Sequence, residues 1–140
     1  MKILIVNGPN LNLLGKRDKN NYGSFTLKQL NDKIKRWYKD INFDFYQSNI
    51  EGKLIDKLQT YKNYDGIVIN PGAFTHYSIA IRDCIEVIDK PIIEVHLSNV
   101  YNREKFREKS VISPVCDGKI SGLKADSYLL AIDYIRRKND

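Results

Sequence analysis

Short, uninterrupted apolar runs alternate along this chain with segments of helical periodicity, and that alternation admits few folds. Ile3-Leu4-Ile5-Val6 and Gly66-Ile67-Val68-Ile69-Asn70 are apolar at consecutive positions, as expected of strands covered on both faces. Pro91 opens a third run of this kind, Ile92-Ile93-Glu94-Val95-His96. Phe43-Asp44-Phe45-Tyr46-Gln47 alternates instead, which predicts an edge strand with one wetter face. A weaker strand is expected around Lys119-Ile120-Ser121. Between the strands, Leu27, Leu30, Ile34 and Trp37 follow helical spacing behind a capping box of Thr26 and Gln29. Leu54, Leu58 and Tyr61 predict a second helix, Ile81, Ile85 and Ile88 a third, and the segment from Ser127 to Arg137 a last one.

Strands that alternate with helices in this way form one parallel sheet with helices on both faces. The expected fold class is α/β, a flavodoxin-like three-layer sandwich with a five-stranded parallel sheet in the order 2-1-3-4-5. With 140 residues, a single catalytic domain over residues 1–140 is expected. No apolar stretch approaches the ~20 residues that cross a bilayer, and no signal-peptide pattern follows Met1, so the expected address is cytoplasmic. Cys84 and Cys116 form no CxxC pair and read as small core-filling thiols. The net charge of +6 is scattered rather than striped, and several cations sit near helix ends, where the dipole favours them. Nucleic acid is therefore not expected as a partner, whereas an anionic small molecule is.

In such sheets ligands lie beyond the carboxyl ends of the strands. Asn7-Gly8-Pro9-Asn10 follows the first strand, Gln47-Ser48-Asn49 the second, Asn70-Pro71-Gly72 with Thr75-His76 the third, and His96-Leu97-Ser98-Asn99 the fourth. Asn, Ser and Gly are ordinary turn residues, but the only two histidines of the chain fall at the same end. The first loop has neither GxGxxG nor a P-loop, and His76 and His96 have no nearby cysteine pair. A nucleotide site and a zinc site are both disfavoured. Acid–base chemistry remains. The polar stretch from Leu11 to Gly23 has the length of a lid and carries Arg17 and Tyr22. A phenol ionises near pH ~10 and is a poor base near neutrality. A guanidinium ~4 Å away contributes about 4 kcal/mol at an effective dielectric of 20, roughly three pKa units. The other reading of the pair is simple stacking. Glu94 and His96 project to one face of their strand. A carboxylate there implies a partner, either a catalytic histidine or a structural ion pair.

The segment Val6-Asn7-Gly8-Pro9-Asn10-Leu11-Asn12-Leu13-Leu14-Gly15, followed by Arg17 and Tyr22-Gly23, resembles the opening of the type II 3-dehydroquinate dehydratases. The likeness continues through Gln47-Ser48-Asn49 with Glu51-Gly52, Asn70 to His76, Ile93 to Asn99, Arg103-Glu104 with Phe106-Arg107, and Gly118 to Gly122. It implies a cofactor-free, metal-free enzyme that removes water from 3-dehydroquinate through an enolate. By this resemblance Tyr22 is the base, Arg17 keeps it ionised, and Asn10 helps hold the water at the enolate oxygen. His96 protonates the departing hydroxyl and Glu94 supports it. Asn70, His76, Leu97, Ser98 and Arg107 correspond to the family's substrate contacts. Asp83 corresponds to a residue supplied by a neighbouring subunit, within a homo-oligomer that is typically a dodecamer. Asp83 follows His76 by two helical turns, which predicts a shared helix face. Three positions depart from the family pattern: Asp18 and Lys19 stand where a glutamate and a proline are usual, and Ile50 where a histidine is common. None is a named acid or base. A non-catalytic flavodoxin-like binding protein and a dehydratase of another hydroxy acid remain the alternatives.

Overall fold

In the computed structural model, which describes residues 1–140, the apolar runs become the strands of one sheet. They are β1 (Lys2–Asn7), β2 (Asn42–Gln47), β3 (Gly66–Asn70), β4 (Ile92–His96) and β5 (Gly118–Ser121). All neighbours are parallel and the order is β2-β1-β3-β4-β5, as the sequence predicts. The helices are α1 (Lys19–Tyr22), α2 (Leu27–Trp37), α3 (Glu51–Leu58), α4 (Ile79–Glu86) and α5 (Ala125–Asn139). None is long and apolar enough to cross a membrane.

The side-chain period of two along each strand divides the core into two layers. Ile3 and Ile5 of β1 pack with Leu30, Ile34, Tyr128, Ile132 and Ile135 of α2 and α5. Leu4 and Val6 pack with Leu54, Leu58, Ile81 and Ile85 of α3 and α4. Because β1 and β3 are fully covered on both sides, their sequences lack alternation. Phe43 and Phe45 of the edge strand β2 lean on the first layer and Tyr46 on the second. Cys84 and Cys116 are half-buried against the second layer, and burial raises both thiols, Cys116 to about 12. They stay protonated and act as filling.

Four local expectations need correcting. Trp37 ends α2 with 66% of its surface exposed. Tyr38 takes the buried place, its hydroxyl lying 2.8 Å from both the Leu129 carbonyl and Asp133 Oδ1, which share its one hydrogen. Tyr61 lies past the end of α3, in a separate 3₁₀ turn over Tyr61–Asn63, after Thr60 Oγ1 has bonded the Lys57 carbonyl at 2.7 Å. Ile88 lies beyond α4 for a similar reason, its amide closing a turn onto the Ile85 carbonyl at 3.0 Å. Finally, His76 and Asp83 do not share a helix. His76 closes a 3₁₀ turn over Gly72–His76, and α4 begins afresh behind an extended Ser78, whose Oγ accepts from the Ile81 amide at 3.0 Å.

At the carboxyl edge the register aligns Asn7 with both Gln47 and Asn70, so polar side chains of three strands end level. Tyr128 is fully buried beneath them; its hydroxyl donates to Asn7 Oδ1 at 2.6 Å and accepts from Asn70 Nδ2 at 2.8 Å. The loops after β1 and β3 then touch backbone to backbone. A Cβ on Gly8 would stand 2.5 Å from the Pro71 carbonyl oxygen, so only glycine fits there.

Lys124, just before α5, adopts φ 51° and ψ −130°, a conformation strained for any residue with a Cβ. Replacing Lys124 by glycine relieves about 1–3 kcal/mol of strain and costs about 0.5–1 kcal/mol of added chain entropy. The variant Lys124→Gly is therefore expected to be more stable by about 1 kcal/mol, read as a higher urea midpoint at unchanged slope. A lower midpoint would contradict the strain assignment.

Candidate active site

The first loop turns sharply after β1 because Asn10 takes a left-handed conformation, φ 68°, and its amide donates to Asn49 Oδ1 at 3.0 Å. Gln47 Nε2 braces the same turn through the Gly8 carbonyl at 3.2 Å and Asn49 Oδ1 at 3.2 Å. The Gln47-Ser48-Asn49 cluster is thus a support for the first loop and does not line the cavity itself. Beyond this turn the lid is more ordered than a polar stretch suggests. Leu11 and Leu14 anchor it in the first core layer. Asp18 caps the one-turn helix α1, accepting from the Asn20 amide at 2.8 Å and from Asn21 Nδ2 at 3.1 Å. This cap holds the short helix despite Lys19.

The lid delivers Tyr22 and Arg17 to one another. Arg17 Nη2 donates to the Tyr22 hydroxyl at 2.7 Å, and the guanidinium lies 3.7 Å from the Tyr22 ring centre. Tyr22 is 8% exposed, so the contact is shielded from water on most sides. Arg103 approaches the same ring at 5.1 Å and donates to Ser98 Oγ at 3.2 Å. Burial pulls Arg17 below its ordinary range, and the charges of Arg103 and Arg107 add to that pull against the attraction of Tyr22. A site that crowds three guanidiniums is short of negative charge.

Opposite the lid stands the end of β4. His96 Nε2 lies 2.5 Å from Glu94 Oε1. Glu94 has no exposed surface, and the sequence explains its burial only in part, through His96. Three hydroxyls complete its shell: Thr75 Oγ1 donates at 2.5 Å, Ser113 Oγ donates to the other oxygen, and Ser110 Oγ lies at 3.2 Å. Burial pushes this carboxyl up, but His96, Ser113 and Thr75 together outweigh it and hold Glu94 below its ordinary value.

One cavity unites these groups. Its lining includes Asn10, Arg17, Tyr22, Asn70, His76, His96, Leu97, Ser98, Arg103 and Arg107. Asn70 has part of its hydrogen-bonding capacity committed, to Tyr128 and, through Oδ1, to the Gly72 amide at 3.1 Å. His76 Nδ1 lies 2.7 Å from the Lys109 carbonyl. A carbonyl only accepts, so Nδ1 carries the proton and Nε2 is left for another partner. Arg107 is steadied by Glu104 at 2.5 Å. Asp83 is exposed on α4 and does not line this cavity. No group of three or more His, Cys, Asp and Glu side chains is gathered to hold a metal ion. Arg103, Thr75, Ser110 and Ser113 were not singled out as site residues from sequence. For Arg103 a signal existed in the Arg-Glu-x-Phe-Arg segment; the serines look like any loop serines.

The fold and the cavity define an α/β enzyme of flavodoxin-like architecture, with a tyrosine–arginine pair facing a histidine–glutamate pair across a cationic site. The family model described as dehydroquinase class II matches residues 1–136. A 3-dehydroquinate dehydratase of Thermotoga petrophila is 54% identical over 140 residues, covering 99% of this chain and 96% of that one. The corresponding protein of Clostridium botulinum is 53% identical over 136 residues, covering 95% and 92%. Among solved structures, the type II dehydroquinase of Butyrivibrio crossotus superposes with a TM-score of 0.94 at 52% identity, covering 97% of each chain. The chain belongs to the class II dehydroquinase family, the type II 3-dehydroquinate dehydratases.

The depressed Glu94 carboxyl has a consequence for stability. Its charged form contributes fully above the ordinary value of 4.5 and is lost as pH falls through the lower folded-state value. Glu94→Gln removes that charge and turns an amide NH₂ toward donors, which should cost about 2–4 kcal/mol at pH 7. Urea unfolding of both proteins from pH 7 to pH 3 should show the difference narrowing below about pH 4.5. A constant difference would place the effect in packing.

Proposed function

We propose that this chain dehydrates 3-dehydroquinate to 3-dehydroshikimate, with Tyr22 as base and His96 as acid. As a hydro-lyase it serves aromatic biosynthesis in the shikimate pathway, working in the cytoplasm as one catalytic domain over residues 1–140 without cofactor. The observation that carries the reading is the Arg17–Tyr22 contact, a hydrogen bond of 2.7 Å with the guanidinium also lying on the ring, facing the His96–Glu94 pair in the same cavity. The guanidinium bonded to the Tyr22 oxygen attracts the negative charge of a phenolate, and from that form Tyr22 takes the proton beside the ketone. The electrons move to the carbonyl oxygen, forming the enolate. Asn10, whose side chain is uncommitted at the cavity edge, holds a water at that oxygen.

His96 completes the reaction. Nε2 is occupied by Glu94, so Nδ1 is the ring nitrogen that protonates the departing hydroxyl. After transfer the neutral ring still donates from Nε2 to the carboxylate. Arg107, Ser98, the Leu97 backbone, His76 and Asn70 are the proposed contacts to the substrate's carboxylate and hydroxyls. Cationic lining from Arg17, Arg103 and Arg107 supports an acidic substrate. A binding protein would have no use for a buried carboxylate behind its histidine, which favours the catalytic reading.

Asp83 joins this scheme as a residue acting in a neighbouring subunit's site. Ile79 and Asp83 of α4 and Val87 at its C-terminal cap recur at intervals of four residues, and Ile79 and Val87 are 53% and 70% exposed. Such a stripe suits contact with a second copy, within the proposed dodecamer.

Purified protein mixed with 3-dehydroquinate should give the rising ultraviolet absorbance of a conjugated enone, undiminished by chelator. No change with folded protein and excess substrate would favour the binding-protein reading. Tyr22→Phe should lower turnover by about 10²–10⁴-fold and slow hydrogen–deuterium exchange beside the ketone in recovered substrate. His96→Ala should leave that exchange running while little product forms. Unimpaired exchange in Tyr22→Phe would assign the base to another group. Sedimentation should show a particle far larger than one chain, and a fully active monomer would remove Asp83 from the mechanism.

A further inference from the structure

Glu94 carries more donors than are needed to hold a histidine in place. The protons can be counted. Ser110 Oγ accepts from the amides of Ile112 at 3.1 Å and Ser113 at 2.9 Å, which leaves its single hydrogen to give. Thr75 Oγ1 stands 2.5 Å from Glu94 Oε1 and 2.6 Å from Ser110 Oγ. An ionised carboxylate only accepts, so Thr75 donates to Glu94. Its remaining lone pair then receives Ser110, at a distance well below the 3.2 Å that separates Ser110 from Glu94 Oε2. The order is Ser110 to Thr75 to Glu94 Oε1, with Ser113 donating separately to Oε2. Oε1 thus shares its charge between Thr75 and His96, and Oε2 gives its share to Ser113.

This arrangement decides where a proton rests. The only ion-pair partner of Glu94 is His96, so a bare buried carboxylate would hold the imidazolium form strongly and make it a reluctant donor. Each hydroxyl that draws on the carboxylate's charge weakens that hold. We propose that Thr75 and Ser113 are positioning residues that act through Glu94 to set how readily His96 gives up its proton. The inference rests on the acid role of His96 given above. Ser113 reaches the carboxylate from the loop after β4 and Thr75 from the turn after β3, so two separate connections meet on one group. The remaining titratable groups around the pair are Cys116, whose raised thiol registers the charge of Glu94, and Tyr22, Arg17, Arg103, Arg107 and His76 of the cavity. None of these donates to Glu94 in the structure, so the hydroxyls are the groups that share its charge with His96.

The sign follows. Without one hydroxyl, Glu94 is less satisfied, the protonated ring is favoured, and His96 keeps its proton to higher pH while becoming a weaker acid. In Ser113→Ala the titration midpoint of the His96 ring, followed by NMR, should rise by about one pH unit, the scale of one charge-assisted hydrogen bond. The chain has only two histidines, so the His96 signal is assigned by its loss in His96→Ala. The alkaline limb of kcat should move up by a similar amount, the plateau should fall about tenfold, and KM should hold. Ser113→Thr, which keeps a hydroxyl, should restore both readouts. If Ser113→Ala fails to fold, Thr75→Val carries the same measurement with its shape preserved. An unmoved or lowered His96 midpoint in folded variant protein overturns the proposal and leaves the hydroxyls a structural clamp. The ring titration needs no turnover, so an inactive protein would count against the proposed reaction and not against this charge sharing.

Discussion

A carboxylate with no exposed surface at the end of a parallel strand makes demands on everything around it. Removing an ionised carboxylate from water is costly unless donors replace the water. For Glu94 those donors come from β4 itself, from the turn after β3 and from the loop ahead of β5. Meeting them fixes the surrounding chain. Ser110 gathers the amides of Ile112 and Ser113, the Val111 amide reaches the Thr75 carbonyl at 2.8 Å, and Arg82 holds the Val111 carbonyl at 3.1 Å. The same loop places the Lys109 carbonyl against His76 and so selects which of its ring nitrogens is protonated. One buried charge therefore organises a whole wall of the cavity.

The other wall is an extension of the hydrophobic core. Leu11, Leu14 and Tyr22 belong to the same cluster as Ile3, Ile5 and Tyr128, so the lid is seated by burial as well as by the Asp18 cap. Burial also shields the Arg17–Tyr22 hydrogen bond from water, because an electrostatic contact in a partly dry place is less screened than one in water. Along the lid come apolar anchors first, then the arginine, then a capped turn that returns the tyrosine to it. Folding and chemistry share these contacts, which ties the electrostatics of the site to the stability of the first core layer.

Much of this was legible beforehand. Consecutive apolar positions in β1, β3 and β4 and alternation in β2 reported the sheet, because the inner strands are fully covered on both faces whereas the edge strand β2 is only partly covered. The capping box of Thr26 and Gln29 forms as read, each side chain bonding the other's amide at 3.1 and 2.9 Å. The errors came where local pattern yields to neighbours. Trp37 has helical phase but no partner at the end of α2, and Tyr38 found one in α5. His76 and Asp83 have helical spacing, yet Ser78 restarts the helix between them.

The sequence by itself determined the alternation of strands with helices, the two-sided core and the family, and with them the expectation that Tyr22, Arg17, Glu94 and His96 meet beyond the strand ends. These follow from periodicity and from motifs, which are properties of neighbouring residues. Only the tertiary structure decided that Arg103 joins Arg17 at the Tyr22 ring, that Gln47 and Asn49 brace a loop, and that Thr75, backed by Ser110, and Ser113 converge on one carboxylate. Those contacts join residues 16 to 81 positions apart. Hydroxyls and amides carry no pattern that announces a distant partner. What brings them together is the need of a buried charge for donors, satisfied by whichever loops the sheet delivers to its edge.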